Sequence, residues 1–243
     1  MKRFGAWWGA LTLLLSSSAA LAGPPYDTDD PEPTELHHWE IYAFGAGDGF
    51  GGVIDGASGV DLNYGAAPGV QLTATIPVAF ETGAGTHIGR GDLEIGVKYR
   101  FLHREKAGFS AAIFPRVILP TASRRFGTGR VRLLLPLWAQ QELGDWSVFG
   151  GGGYTINPGP GNRDFWVAGL AVTRPLTHRL TLGAELFREG ADEVGGRATA
   201  RLGFGGIYSL GGPYSLLASA GPEFEDGRRA AGVHAYVALG LNF

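Results

Sequence analysis

The chain has 243 residues, 41 of them glycine and none cysteine, with a formal net charge of −3. Glycine at this level without a G-X-Y period excludes collagen, and a mildly acidic balance gives no sign of a nucleic-acid partner. With no disulfides available, an exported chain of this size needs a continuous hydrogen-bonded framework, and a single barrel domain is one architecture that supplies it at this length.

Lys2 and Arg3 precede an uncharged run, Phe4 to Leu15, and small residues ending Ala20-Leu21-Ala22. This is the layout of a secretory signal, and the apolar run is too short to cross a bilayer as a helix. Cleavage is expected after Ala22, so residues 1–22 form a signal peptide and 243 − 22 leaves 221. The mature chain then carries 18 basic residues, 20 less Lys2 and Arg3, against 23 acidic, or −5. An uncleaved anchor helix is the competing reading.

Residues 23–36, GPPYDTDDPEPTEL, are proline-rich and acidic without periodicity, which predicts a periplasmic N-terminal extension. A cation site at Asp27, Asp29 and Asp30, or a segment folded into a barrel mouth, would use the same residues. Carboxylates clustered in this way favour a solvated tail.

From 37 to 243 the sequence breaks into segments of about ten residues between turn signals, as transmembrane β-barrels do. Strands are predicted near 37–47, 53–64, 69–80, 91–103, 108–120, 131–143, 146–156, 164–176, 180–189, 197–209, 214–223 and 232–243. Short connections such as GAAP (65–68) and LGGP (210–213) alternate with mostly longer ones such as 81–90 and 121–130. Short periplasmic turns and longer external loops produce that alternation and place both termini in the periplasm. The last stretch sets Val233, Ala235, Val237, Leu239, Leu241 and Phe243 on one face and His234, Tyr236, Gly240 and Asn242 on the other. A soluble domain ending there would leave an unpaired edge, whereas pairing the last strand with the first removes it. The fold class read from this pattern is all-β: a single antiparallel up-and-down barrel of about 12 strands in the outer membrane.

Aromatic residues agree. Trp39, Tyr64, Tyr99, Phe101, Phe109, Trp146, Tyr208, Tyr214 and Phe243 take the apolar parity near the periplasmic ends, and Phe80, Tyr154, Phe165 and Phe224 lie near the other ends. Trp and Tyr favour membrane interfaces, so these read as girdles. Charges take the opposite parity, because a charge facing lipid at mid-depth costs several kcal/mol. Glu94, Lys98, Arg100, Arg116, Arg132, Glu185, Arg197, Arg201 and His234 are therefore predicted to line the lumen. A hairpin centred on residue 193 would place Glu185 opposite Arg201 as an ion pair. Glu94 and Arg116 would lie at similar depth. Phe243 is predicted to be the assembly signal read by the barrel assembly machinery.

The segment PPYDTDDPEPTELHHWEIYAF (24–44) resembles the opening of a bacterial outer-membrane β-barrel transporter family of the meta-pathway of phenol degradation type. The resemblance implies passage of small, aromatic or weakly polar solutes, and names no substrate. No G-x-S-x-G occurs, and of the six histidines only His234 sits where a base could act. A hydrogen-bonding role in the lumen is the better reading of it. His37 and His38 point to opposite strand faces and cannot converge on a metal. Catalytic residues, metal and cofactors are therefore expected to be none, and an outer-membrane hydrolase is the least favoured class. A structural or interaction barrel with a filled lumen is the main alternative to a channel. Expected partners are outer-membrane lipid, the small-molecule solute and lipopolysaccharide; Arg124, Arg125 and Arg130 have the chemistry to meet its phosphates, although a solvated basic loop is the better reading of them.

Overall fold

The computed structural model describes residues 25–228 and 231–243, so the signal peptide read at 1–22 lies outside the described residues. The strands are β1 (Trp39–Phe50), β2 (Val53–Ala67), β3 (Val70–Thr82), β4 (His87–Arg90), β5 (Leu93–Arg104), β6 (Phe109–Ile113) and β7 (Arg116–Leu119). They continue with β8 (Arg132–Leu143), β9 (Trp146–Ile156), β10 (Phe165–Pro175), β11 (Leu180–Glu189), β12 (Thr199–Gly211), β13 (Tyr214–Glu225) and β14 (Gly232–Asn242). All belong to one antiparallel sheet, closed where β14 pairs with β1 from Glu40↔Asn242 to Gly49↔Val233. Trp39 and Phe243 exchange both backbone hydrogen bonds at the seam, 2.8 and 3.1 Å, so the chain's last residue completes the ring.

The fourteen segments make twelve crossings. β6 and β7 are two halves of one crossing, interrupted at Phe114–Pro115 because Pro115 has no N–H to give a ladder. The Pro115 carbonyl still accepts from Val97 N, and Phe114 N donates to the Pro136 carbonyl, so the wall stays closed there. β4 was not expected: the stretch read as a plain loop folds back on the outer half of β3 (Val78↔Arg90), while the inner half of β3 pairs with β5. A return of four residues is too short for its alternation to stand out.

The outward face is apolar over the full height. Ile76, Leu170, Phe204 and Val233 are each more than half exposed, and Trp166 is 67 % exposed. Monomeric soluble proteins do not present a continuous apolar band of this kind; lipid is its solvent. The periplasmic girdle is present, with Trp39 and Tyr64 in ring contact at 4.7 Å and Tyr99, Phe101, Trp146, Tyr208, Tyr214 and Phe243 facing out. Phe165 departs from the expected girdle: it packs inside, against Phe114, Trp138, Val167 and Phe187, and its neighbour Trp166 takes the lipid side. Strand β10 thus has rings on both faces, and residue type there does not reveal orientation.

Candidate functional site: the occupied lumen

The acidic extension is not a solvated tail. Residues 25–34 run inside the barrel and touch its wall on nearly every side. Leu36 bridges Gly65 near the periplasmic rim, and Thr34 donates through N and Oγ1 to Gln71 Oε1 at 2.8 and 3.1 Å. Glu32 pairs with Arg100, and Asp29 with Lys98 (2.8 Å) and Arg116 (3.0 Å). Asp27 pairs with Arg201 at 3.1 Å. Tyr26 Oη donates to the Gly205 carbonyl at 3.0 Å, and Ser219 Oγ to the Pro25 carbonyl.

The composition that suggested a tail is what lets the segment sit here. A chain in a lumen has no ladder partner, so each backbone N–H needs its own acceptor. Pro25, Pro31 and Pro33 have no N–H. The N–H groups of Asp27 and Thr28 donate to Glu185 at 3.1 and 3.0 Å, that of Asp30 to Asp29 at 2.9 Å, and that of Glu32 to Asp30 at 2.8 Å. The wall also makes room. A Cβ on Gly169 would fall on Thr28 Oγ1, and one on Gly65 would strike the Glu35 carbonyl, so part of the glycine excess is close approach of two backbones. Burial pushes the Asp30 carboxyl up to about 6, with Lys98 acting in the opposite sense. Burial, then the nearby Glu185, raises the Tyr26 phenol.

Lys98 is 2 % exposed, held between Asp29 and Asp30 with its ammonium 5.1 Å from the Phe114 ring centre. Arg116 lies 4.2 Å over the same ring and meets Glu94 at 3.4 Å, so the expected proximity of those two residues is realised. Arg132 pairs with Asp92 at 3.3 Å. His234 Nδ1 is 2.6 Å from Asp48 Oδ1, with Nε2 3.8 Å from Asp27. Arg197 is a correction: it precedes β12, is exposed, and donates to the Asp226 carbonyl at 2.7 Å.

The Glu185–Arg201 pair is a second correction. The ladder sets Glu185 opposite Gly203 and Phe187 opposite Arg201, a hairpin centred on 194 instead of 193. Moving the centre by one shifts the register by two residues, which keeps every side chain on its face, so alternation could not detect it. Glu185 instead holds the segment's backbone. Arg201 meets Asp27, Asp48 at 3.6 Å and Glu223 at 3.4 Å.

Among the described residues the lumen holds an inner and an outer chamber. The inner, about 210 Å³, is lined by polar groups including Glu40, Asp61, Asn63, Gln71 and Thr73. The outer, about 290 Å³, is lined by Trp138, Phe165, Val167 and Phe187, with Arg132 and Glu189 among its polar groups. Asp27, Glu94 and Arg116 border both, so the constriction is a cluster of charges built jointly by segment and wall. Trp138 escapes a reading by parity because the run Leu133–Trp138 is apolar at every position, which hides which parity faces in. That loss of alternation was itself the available signal of an apolar patch inside.

Comparison with known proteins follows this architecture. The chain is similar to an outer membrane channel from Pseudomonas putida F1, with 14 % identity, TM-score 0.70, and 90 % of this chain and 100 % of that one covered. It is also similar to the KdgM porin (12 %, TM-score 0.58, 84 % and 99 % covered). The translocator domain of the autotransporter NalP from Neisseria meningitidis is a third such structure (18 %, TM-score 0.54, 84 % and 88 % covered). These likenesses are of fold. No curated protein sequence matches. The family model described as "Putative MetA-pathway of phenol degradation" matches residues 39–239, nearly the whole barrel, and the chain therefore belongs to that family of outer-membrane β-barrels.

Proposed function

We propose that the protein is an outer-membrane channel that passes small, weakly polar solutes, aromatic ones among them. The observation that carries this reading is the outer chamber. At about 290 Å³ it is larger than the roughly 150 Å³ apolar cavity that suffices for benzene, and too small for an oligosaccharide. Its rings offer flat apolar contact, while Arg132, paired with Asp92, and Glu189 keep water and polar groups in reach. The role requires no catalytic group.

Interruptions of single-channel current by a one-ring solute such as benzyl alcohol test the proposal. They are expected in the parent and are reduced in Phe187→Ala, which opens the chamber wall. Raffinose interrupting the current as often as benzyl alcohol would count against it. A second reading, a structural barrel with a filled lumen, draws on the segment that occupies the pore; silence of both the parent and a variant lacking residues 25–34 in planar bilayers would favour it. Lipid contacts the outward band, and lipopolysaccharide phosphates are proposed to meet the 121–130 loop, where Arg125 already leans on Glu81 at 2.6 Å.

A further inference from the structure

The lumen wall and the threaded segment divide the charges unequally. Among the described residues, each fixed cation facing the lumen already meets a carboxylate, and for Lys98 and Arg100 the partner comes from the segment. Arg116 and Arg201 each draw one partner from the segment and the rest from the wall. By contrast, several wall carboxylates take their hydrogen bonds from neutral donors. Glu40 accepts from Tyr42 Oη and Asn242, Asp61 from Thr75 and Asn63, and Glu185 from two backbone N–H groups. With the segment in place, the wall's positive charge is matched by carboxylates. Stripped of it, Lys98 and Arg100 on β5 and Arg116 on the facing β7 would present three cations close together.

Resting on the channel reading above, we propose that residues 25–34 are the charge-selectivity element of the pore: the segment's Asp27, Asp29 and Glu32 make the lumen favour cations and uncharged solutes and exclude anions. The substrate class narrows accordingly, to neutral or positively charged small molecules. Carboxylates lining a narrow path act on permeant ions at short range, where screening by salt is weak.

Reversal potentials in planar bilayers under a tenfold KCl gradient test this with the full-length protein, its folding checked by heat-modifiable gel mobility. The parent is expected to reverse on the potassium side. The triple variant Asp27→Asn, Asp29→Asn, Glu32→Gln keeps side-chain shape and removes the charge. It is expected to lower the potassium-to-chloride permeability ratio by about tenfold, the effect of one full charge at ~6 Å through water acting with opposite sign on the two ions. Release of the segment in that variant would shift the ratio the same way, by uncovering the wall cations. An anion-selective parent, or a triple variant with the parent's ratio, overturns the proposal. Absence of any conductance in the parent would instead refute the channel reading on which it rests.

Discussion

Replacing Glu185 with alanine tests how the segment is held. Glu185 is 4 % exposed and Thr28 3 %, and the carboxylate accepts the backbone N–H groups of Asp27 and Thr28 at 3.1 and 3.0 Å. A hydrogen bond to a charged group contributes about 1.5–3 kcal/mol, and a buried donor left without a partner costs a similar amount. The two donors reach separate oxygens of one carboxylate and are adjacent in the chain, so the losses do not add fully, and about 3 kcal/mol is expected for the pair. That raises the undocked population about a hundredfold. The barrel itself is expected to persist, because its ladder, including Glu185↔Gly203, is made of backbone bonds the substitution does not touch. The assay is single-channel conductance beside limited proteolysis of residues 25–36. Long-lived high-conductance states and rapid cleavage are expected in Glu185→Ala. Glu185→Gln, which keeps one acceptor oxygen, is expected to lie between it and the parent. Unchanged conductance and protection in Glu185→Ala would refute the claim that this contact docks the segment.

Gly169→Val places a Cβ on Thr28 Oγ1 and is expected to displace the segment at a cost of about 1–3 kcal/mol from overpacking, seen as cleavage in the 25–36 region at unchanged heat-modifiable mobility. The Asp30 carboxyl, about 6 when buried against an ordinary value of 3.8, binds its proton more tightly docked than free. Docking therefore takes up a proton between about pH 4 and 6, is favoured on the acid side, and weakens as pH rises through 6. Openings are expected to be more frequent at pH 7 than at pH 5, and Asp30→Asn is expected to lose that dependence; equal pH dependence in both proteins would contradict the assignment. Phe243→Asp puts a charge on the outward face of the closing seam, and is expected to reduce folded, membrane-inserted protein more than Arg132→Ala does, as read from heat-modifiable protein in outer-membrane fractions.

Alternation is a local property, and what depends on it was legible in the sequence: the twelve crossings (though not the short return β4), the face that meets lipid, the periplasmic aromatic girdle and the closing role of the last strand. Along Leu93 to Phe101 the parity assigns each residue a face, and it sets Lys98, Arg100 and Arg116 toward the lumen. Three features were decided only by the tertiary structure. Register is fixed by where a turn closes, and a two-residue shift leaves faces unchanged, so the partner of Arg201 could not be read. Uniformly apolar stretches such as Leu133–Trp138 carry no parity, so the inward face of Trp138 is not legible, and β10 carries rings on both faces, which hides that of Phe165. The fate of residues 25–34 was the largest difference. A proline-rich acidic stretch is equally suited to water and to a lumen whose cations await carboxylates, and only the closed wall brings Lys98, Arg100 and Arg116 on neighbouring strands, and Arg201 on a separate one, into reach of it together. Local pattern sets which groups face inward; the interactions that fill the lumen join residues as far apart as Asp27 and Arg201, and exist only once the ring has closed.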